Sequence, residues 1–439
     1  MRPLGAILEQ AGWMLTGSDA QQASVPTAAS GECGPGKFED VELVIASHAI
    51  ADDHPELLAA RAAGCEILKY PQALGRISGE RRTLAIAGTH GKSTTTAMLS
   101  AILAAAELDP TIVYGAEPID SRHASRLGMG PWFAVEACEY RHSLLELPAE
   151  AAVILNIEHD HFDCFPDFES LVATFSTFAS RLPRDGALLI PSQCPVARRV
   201  AAHTRASVET FGVDVDAGWR ASGLRSRAGR YRFEMRHGGQ RLGRIDLQVP
   251  GRHNVQNALA ASALAARAGC PWPAIQTGLA RFSGLRRRLE TLRDDAELTI
   301  VDDYAHHPTE IAASLAAIRE LTRGRRLWCV FQPHQISRTA WLLETLADSL
   351  RNADKLIVAE IFRAREPEPM PGDVTAFDLA QCVAAQGGDV AQVYDLASIT
   401  EHLRRQLSPG DVLVTMGAGD IGKIAYGLGK WFRENSAAR

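Results

Sequence analysis

The sequence predicts an α/β protein of three domains. Short apolar strand-like runs alternate with helix-length amphipathic runs along most of the chain. A glycine-rich loop at residues 88–91 lies between one such strand and the helix that follows it. The length, 439 residues, leaves room for about three domains at roughly 150 residues each. Composition narrows the class further. Hydrophobic residues make up 46% and charged residues 22%, as in an ordinary globular protein. With 46 basic and 52 acidic side chains the formal charge is −6, which argues against a nucleic-acid binder. No run approaches the length of about 18 apolar residues that a membrane span needs. The basic start is not followed by the apolar core of a signal peptide, so a cytoplasmic protein is expected. Cysteines at 33, 65, 138, 164, 194, 270, 329 and 382 form no CxxC pair and read as reduced core thiols.

The elements follow in order. A helix is expected over 3–11, with Pro3 near its start, then a short strand over 13–16 ending in Gly-Ser-Asp. A strand over 43–47, a helix over 55–63 closed by Gly64 and a strand over 66–70 complete half of a doubly wound sheet. That half opens on a helix, without the strand and turn that normally feed it. A second unit starts with the strand 83–87, the glycine loop and a helix over 94–106, and runs through strands ending near 136 and 156. Residues 206–249, rich in Arg and Gly with short alternating runs, are expected as an antiparallel addition. An Ala-rich helix over 251–269 comes next, and the run GLRRRLE at 284–290 reads as a linker. From residue 298 to 416 strands and helices alternate again as a third α/β domain. The expected domains are thus 1–79, 80–289 and 290–439.

The strongest chemical signal is Gly88-Thr89-His90-Gly91-Lys92-Ser93-Thr94 between strand and helix. Backbone N–H groups there can cradle phosphate at a helix N-terminus, Lys92 can neutralise the β- and γ-phosphates, and Ser93 can ligate Mg²⁺. The loop is not a full GxxxxGK[ST] pattern, because Ile86 stands where its first glycine belongs. Lysine occurs only at 37, 69, 92, 355, 423 and 430, so a lysine inside a motif is informative. Glu136 and Glu139 stand at a strand end beside this loop and are candidates for holding Mg²⁺. The run NIEHDHFD at 156–163 packs three acids and two histidines into eight residues, which favours metal or phosphate work with Mg²⁺ ahead of zinc. DDYAHHPTE at 302–310 and QPHQISR at 332–338 leave strand ends, where open α/β sheets bind ligands; Arg338 can grip a carboxylate or phosphate. GAGDIG at 417–422 matches GxGxxG, but a single helix follows it, so dinucleotide binding is rejected.

Taken together, GTHGKST, EACEYRHS, NIEHDHFD, PGRHNVQNALAA, FSGLRRRLE, DDYAHHPTE, QPHQISRT and TMGAGDIGKIA occur in the order found in the Mur ligases. The chain resembles that family over nearly its whole length, and most closely its alanine-adding branch. The resemblance implies an N-terminal Rossmann-like domain truncated at its first strand, a central P-loop-type ATPase domain and a C-terminal Rossmann-like domain. It implies ATP-dependent joining of L-alanine to UDP-N-acetylmuramate through an acyl phosphate, in peptidoglycan precursor synthesis. It further implies that Lys92 and the loop residues Gly88 to Thr94 hold ATP, and that Ser93 and Glu136 ligate one Mg²⁺ while His161 serves a second. By the same resemblance Asn254 and Asn257 face the adenine, Arg287 lies near the phosphates, and Asp303 and Tyr304 lie near the nucleotide. His306 and Arg338 face the amino acid, with Gln335 standing where some relatives have arginine. Several relatives use a carbamylated lysine as a metal ligand; with no lysine between Lys92 and Lys355 that device is unavailable here. Expected partners are the two substrates alone, with no nucleic acid or membrane, in a monomer or weak homodimer.

The family begins with a strand and a GxGGxGM loop, and residues 1–4 align with the end of that loop. A late start or a fragment is the expectation, with weakened UDP binding and an exposed sheet edge near 43–47. The alternatives are a murein-peptide recycling ligase, which shares the AHHPT motif, and a catalytically silent nucleotide or UDP-sugar binding module.

Overall fold

A computed structural model describes residues 2–17, 38–120, 124–364, 366–391 and 395–435. Its centre is a ten-stranded sheet. The parallel part has Arg82–Ala87 in the middle, flanked by Trp132–Ala137 and Ala149–Ile154. Alternation along each strand divides the core into two faces. Leu84, Ile86, Ala134 and Val153 face the helices Lys92–Ala105, Arg252–Arg267 and Trp272–Arg281, while Ala85, Ala87, Val135 and Ile154 face Phe168–Ser180 and Pro195–Ala201. Because both faces are covered, the strands read as continuous apolar runs, as buried parallel strands do.

The antiparallel addition expected over 206–249 is continuous with this sheet. The antiparallel expectation fails at its start, because Ser207–Val213 pairs parallel with both Ala187–Pro191 and Trp219–Arg227; only Trp219–Arg227, Arg230–His237 and Gln240–Pro250 form an antiparallel meander. In Arg230–His237 the buried Tyr231, Phe233 and Met235 alternate with outward polar residues. The inward set packs in the same cluster as Val255 and Leu259 of the Ala-rich helix, so the apolar face had a cover waiting.

Near the N-terminus, Leu43–Ala46 and Glu66–Lys69 form a two-stranded parallel sheet. Among the described residues no other strand pairs with Leu43–Ala46. The strand expected over 13–16 does not form. Those residues are irregular, with Trp13 and Met14 turned to solvent, so the alternation has no buried face to stabilise it. Ser18 and Asp19, expected to end that strand, lie outside the described residues. Helix Arg2–Gln10 places Leu4, Ile7 and Leu8 on one stripe, and they join the core beneath the ten-stranded sheet. Helix Tyr70–Gly79 adds Ala73 and Leu74 to the same core.

The C-terminal sheet has six strands in the order Glu290–Asp294, Leu298–Asp303, Asp411–Met416, Leu327–Phe331, Lys355–Val358 and Val390–Ala391. All are parallel except the first, which pairs antiparallel with its neighbour. Helices Pro308–Thr322, Ile336–Leu350 and Ala376–Ala385 cover one face; Leu396–Gln406 and Gly422–Asn435 cover the other. The 284–290 segment joins the two large sheets, with Leu285 bridged to Pro118 and Tyr304 N–H donating to Arg287 O at 2.7 Å. None of the described helices is long and apolar enough to cross a membrane.

Candidate active site

Strand Arg82–Ala87 ends in the glycine loop, and helix Lys92–Ala105 starts from it. Gly91 has φ 81, and a Cβ there would sit 2.7 Å from Asn257 Oδ1. The loop is held from the neighbouring strand end. Asn156 accepts from His90 N–H at 2.7 Å and donates to His90 O at 3.1 Å, while the Thr89 hydroxyl donates to Glu158 O and accepts from Glu158 N–H. A left-handed residue with a side chain costs about 1–2 kcal/mol. Gly91→Ala is therefore expected to raise the KM for ATP up to about tenfold; an unchanged value in steady-state kinetics would refute this account of the loop.

Lys92 folds back over the loop. Its ammonium donates to Gly88 O and Thr89 O and to both oxygens of Glu139, at 3.1 and 2.9 Å. Glu139, 1% exposed, also has His161 Nε2 at 3.5 Å. Burial works against its charge, but Lys92 and His161 together hold its carboxyl below the usual range. Glu136 lies on the adjacent strand beside Ile86, and its Oε1 is buried with no hydrogen-bond partner. Ser93 is buried in the first turn of the helix.

The C-terminal loops reach this loop across the domain joint. Arg338 donates through Nε and Nη2 to Asp160 Oδ1 at 2.9 and 2.6 Å, and its Nη1 lies 2.8 Å from His334 Nδ1. Both partners are nearly sealed from water, at 4% and 6% exposure. Burial opposes the Asp160 charge, yet Arg338 keeps its carboxyl far below the usual range. The Thr309 hydroxyl donates to Glu158 Oε2, and His90 sits between Glu158 and Glu310 at 3.5 and 3.3 Å. Farther out, Tyr231 and Ser226 donate to Glu320, tying the meander to helix Pro308–Thr322.

These groups set a pH dependence. Burial pulls His253 and His306 down to about 4, so below about pH 6.5 the unfolded chain binds protons that the folded one refuses. Their effect lowers stability as pH falls from there toward 4, and the depressed Glu139, Glu310 and Asp160 carboxyls extend the loss to more acidic pH. His90 works in the opposite sense. Burial lowers its pKa, but Glu310 and Glu158 outweigh that and raise it to about 9. Its contribution is complete below about pH 6.5 and is lost as pH rises toward 9. Urea midpoints are expected to peak near neutrality, and His90→Gln should flatten the alkaline limb; an unchanged limb would contradict the His90 assignment.

Other residues expected at the site fall as follows. Asn257 donates to Asn254 Oδ1, and Asn254 donates to Pro250 O, both side chains being buried on helix Arg252–Arg267 beside the glycine loop. The Arg287 guanidinium is occupied by the C-terminal domain, donating to Asp302 and to the carbonyls of Gly417 and Gly419. Asp303 is buried, accepts from the Ser314 hydroxyl and Ala305 N–H, and is pushed up to about 6 by burial. Tyr304 lies under the Arg287 and Arg288 guanidinium groups. His306 Nδ1 lies 3.1 Å from Tyr304 O. Gln335, with φ 70, is the buried residue that starts helix Ile336–Leu350. The glycines at 417 and 419 permit close approach to Gln332 and Phe362, a packing reason for the GxGxxG match.

The Mur ligase middle domain matches residues 86–265, the Mur ligase glutamate ligase domain 287–419, and the Mur ligase family catalytic domain 1–82. The UDP-N-acetylmuramate–L-alanine ligase of Desulfitobacterium hafniense is 38% identical over 390 residues, 89% of this chain and 86% of the relative. That of Clostridium novyi is 36% identical, covering 99% of this chain and 95% of the relative. This chain belongs to the Mur ligase family. Among solved structures, the UDP-N-acetylmuramate-alanine ligase of Thermotoga maritima aligns with a TM-score of 0.74 at 23% identity, covering 91% of this chain and 86% of that one. A murein peptide ligase from Psychrobacter arcticus aligns at 0.65 and 24%, covering 88% and 85%. Both show the three-domain Mur ligase fold.

Within this Mur ligase, sequence reasoning singled out the motifs but not the partners inside them. Asn156, Glu158, Asp160 and Glu310 brace the loops, and only their density within short motifs signalled them.

Proposed function

We propose that the chain catalyses ATP-dependent ligation of L-alanine to UDP-N-acetylmuramate, the reaction for which its relatives are named. The observation that carries the reading is the meeting of four loops at one joint: the phosphate loop, the 156–163 acids and histidines, and the 302–310 and 332–338 strand-end loops. The lactyl carboxylate attacks the γ-phosphorus of ATP, ADP leaves, and the amine of alanine then displaces phosphate from the acyl carbon. This chemistry asks for positioning and charge neutralisation more than for covalent help.

The loop amides and the N-terminus of helix Lys92–Ala105 face the phosphates, and Lys92 moves its charge from Glu139 toward the transferring group. The unpartnered Glu136 Oε1 suits a cation, so Ser93 and Glu136 would hold one Mg²⁺ and His161 a second, supplying neutralisation of the phosphoryl oxygens. Arg338 exchanges Asp160 for the alanine carboxylate. His306, neutral at physiological pH, stands in the same cluster beside the amino acid. ATP and a UDP-sugar as substrates favour a cytoplasmic reaction. The test is phosphate release with Mg-ATP, UDP-N-acetylmuramate and single amino acids. Release with alanine is expected; none with alanine, serine or glycine would sink the reading.

A further inference from the structure

The joint between the middle and C-terminal domains holds a second group of ligand-type side chains that the ligation leaves unused. His90 comes from the phosphate loop, Glu158 from the loop after strand Ala149–Ile154, and His307 from the head of helix Pro308–Thr322. One ligand atom from each lies within 4.8 Å of the others. His90 Nε2 and His307 Nδ1 are each 3.5 Å from Glu158 Oε2, and the two rings are 4.5 Å apart. The His90 side chain is only 10% exposed, and its Nε2 is buried with no hydrogen-bond partner. Glu158 and Glu310 favour the charged ring, so an ion takes this nitrogen by displacing its proton.

The surroundings match what metal-ligating side chains require. A ligating histidine commonly turns its other ring nitrogen to a carboxylate, which sets its tautomer and orientation. Here His90 Nδ1 faces Glu310 Oε1 at 3.3 Å. The ligating carboxylate is usually itself hydrogen-bonded, and Glu158 Oε2 accepts from the Thr309 hydroxyl at 2.5 Å. We propose that His90 Nε2, Glu158 Oε2 and His307 form a site for a borderline divalent ion of the Zn²⁺ type, with the fourth position open to water. Two imidazoles and one carboxylate suit Zn²⁺, whereas Mg²⁺ prefers an all-oxygen octahedron. The site is separate from the Ser93, Glu136 and His161 set. Two ligands belong to the middle domain and one to the C-terminal domain, so the ion staples the closed joint.

The test uses the full chain, stripped with chelator and held in excess Mg²⁺. Co²⁺ is the probe, followed by its visible ligand-field bands and displaced by Zn²⁺. Binding of about one equivalent with nitrogen ligation is expected. His307→Ala and Glu158→Gln should each abolish the bands, and His161→Ala should keep them. Glu310→Gln, which leaves all three ligands in place, should weaken binding about 10–100-fold. Circular dichroism of the metal-free variants checks folding, and Glu158→Gln decides if His307→Ala does not fold. Absence of Co²⁺ bands in the wild type, bands that survive Glu158→Gln, or bands lost in a folded His161→Ala would overturn the assignment. Because the readout is metal spectroscopy, it is independent of the ligase reaction.

Discussion

Lys92→Ala is expected to lower kcat by about 10³-fold or more, because one preorganised charge aimed at a developing charge is worth about 10²–10³ on its own. The same substitution has a second, separable effect. Glu139 is sealed at 1% exposure and holds its charge against Lys92. Removing one member of a buried pair costs about 3–5 kcal/mol, since the other is left uncompensated. The variant should therefore also melt several degrees lower. The double variant Lys92→Met with Glu139→Gln separates the two effects: removing both charges relieves the buried carboxylate, so thermal stability should recover while kcat stays low. Near-normal phosphate release by Lys92→Ala would refute the phosphate assignment. A double variant that regains activity along with stability would show that Lys92 acts only as a structural counter-ion.

The second large effect is expected at Arg338. Its fork closes on Asp160 at 2.9 and 2.6 Å, across a sequence separation of 178 and with neither partner exposed to water. Arg338→Ala leaves Asp160 charged and buried, at a cost of about 3–5 kcal/mol. It also removes the group proposed to take the alanine carboxylate, so the KM for alanine should rise strongly with a smaller change for ATP. Arg338→Lys should rescue neither fully, because a lysine cannot reproduce a planar fork. Asp160→Asn is the complementary case: it frees Arg338, so the joint loosens while the guanidinium remains for alanine. Melting curves and separate KM determinations for alanine and ATP check these outcomes. An unchanged alanine KM in Arg338→Ala would remove Arg338 from the amino-acid site.

What the sequence by itself determined is local. The continuous apolar runs of Arg82–Ala87 and Trp132–Ala137, the loop that needs a left-handed Gly91, and the Pro308 start of helix Pro308–Thr322 all follow from short-range sterics and from apolar burial. So the α/β class, the three-part order and the motifs that carry chemistry were legible. The strand expected over 13–16 failed for a non-local reason: among the described residues no strand pairs with it, and Trp13 and Met14 stay exposed. Likewise only the tertiary structure decided that residues 206–249 continue the central sheet and that helix Arg2–Gln10 packs beneath it. Partnerships inside the site were the least legible. Arg287 turned to Asp302 and the 417–419 carbonyls, Asp303 to Ser314, Lys92 to Glu139, and Arg338 to Asp160. Each acid and base had several oppositely charged candidates in the sequence. Burial chose among them, because once water is excluded a charge keeps only the partner that the docked sheets and helices bring within hydrogen-bonding distance.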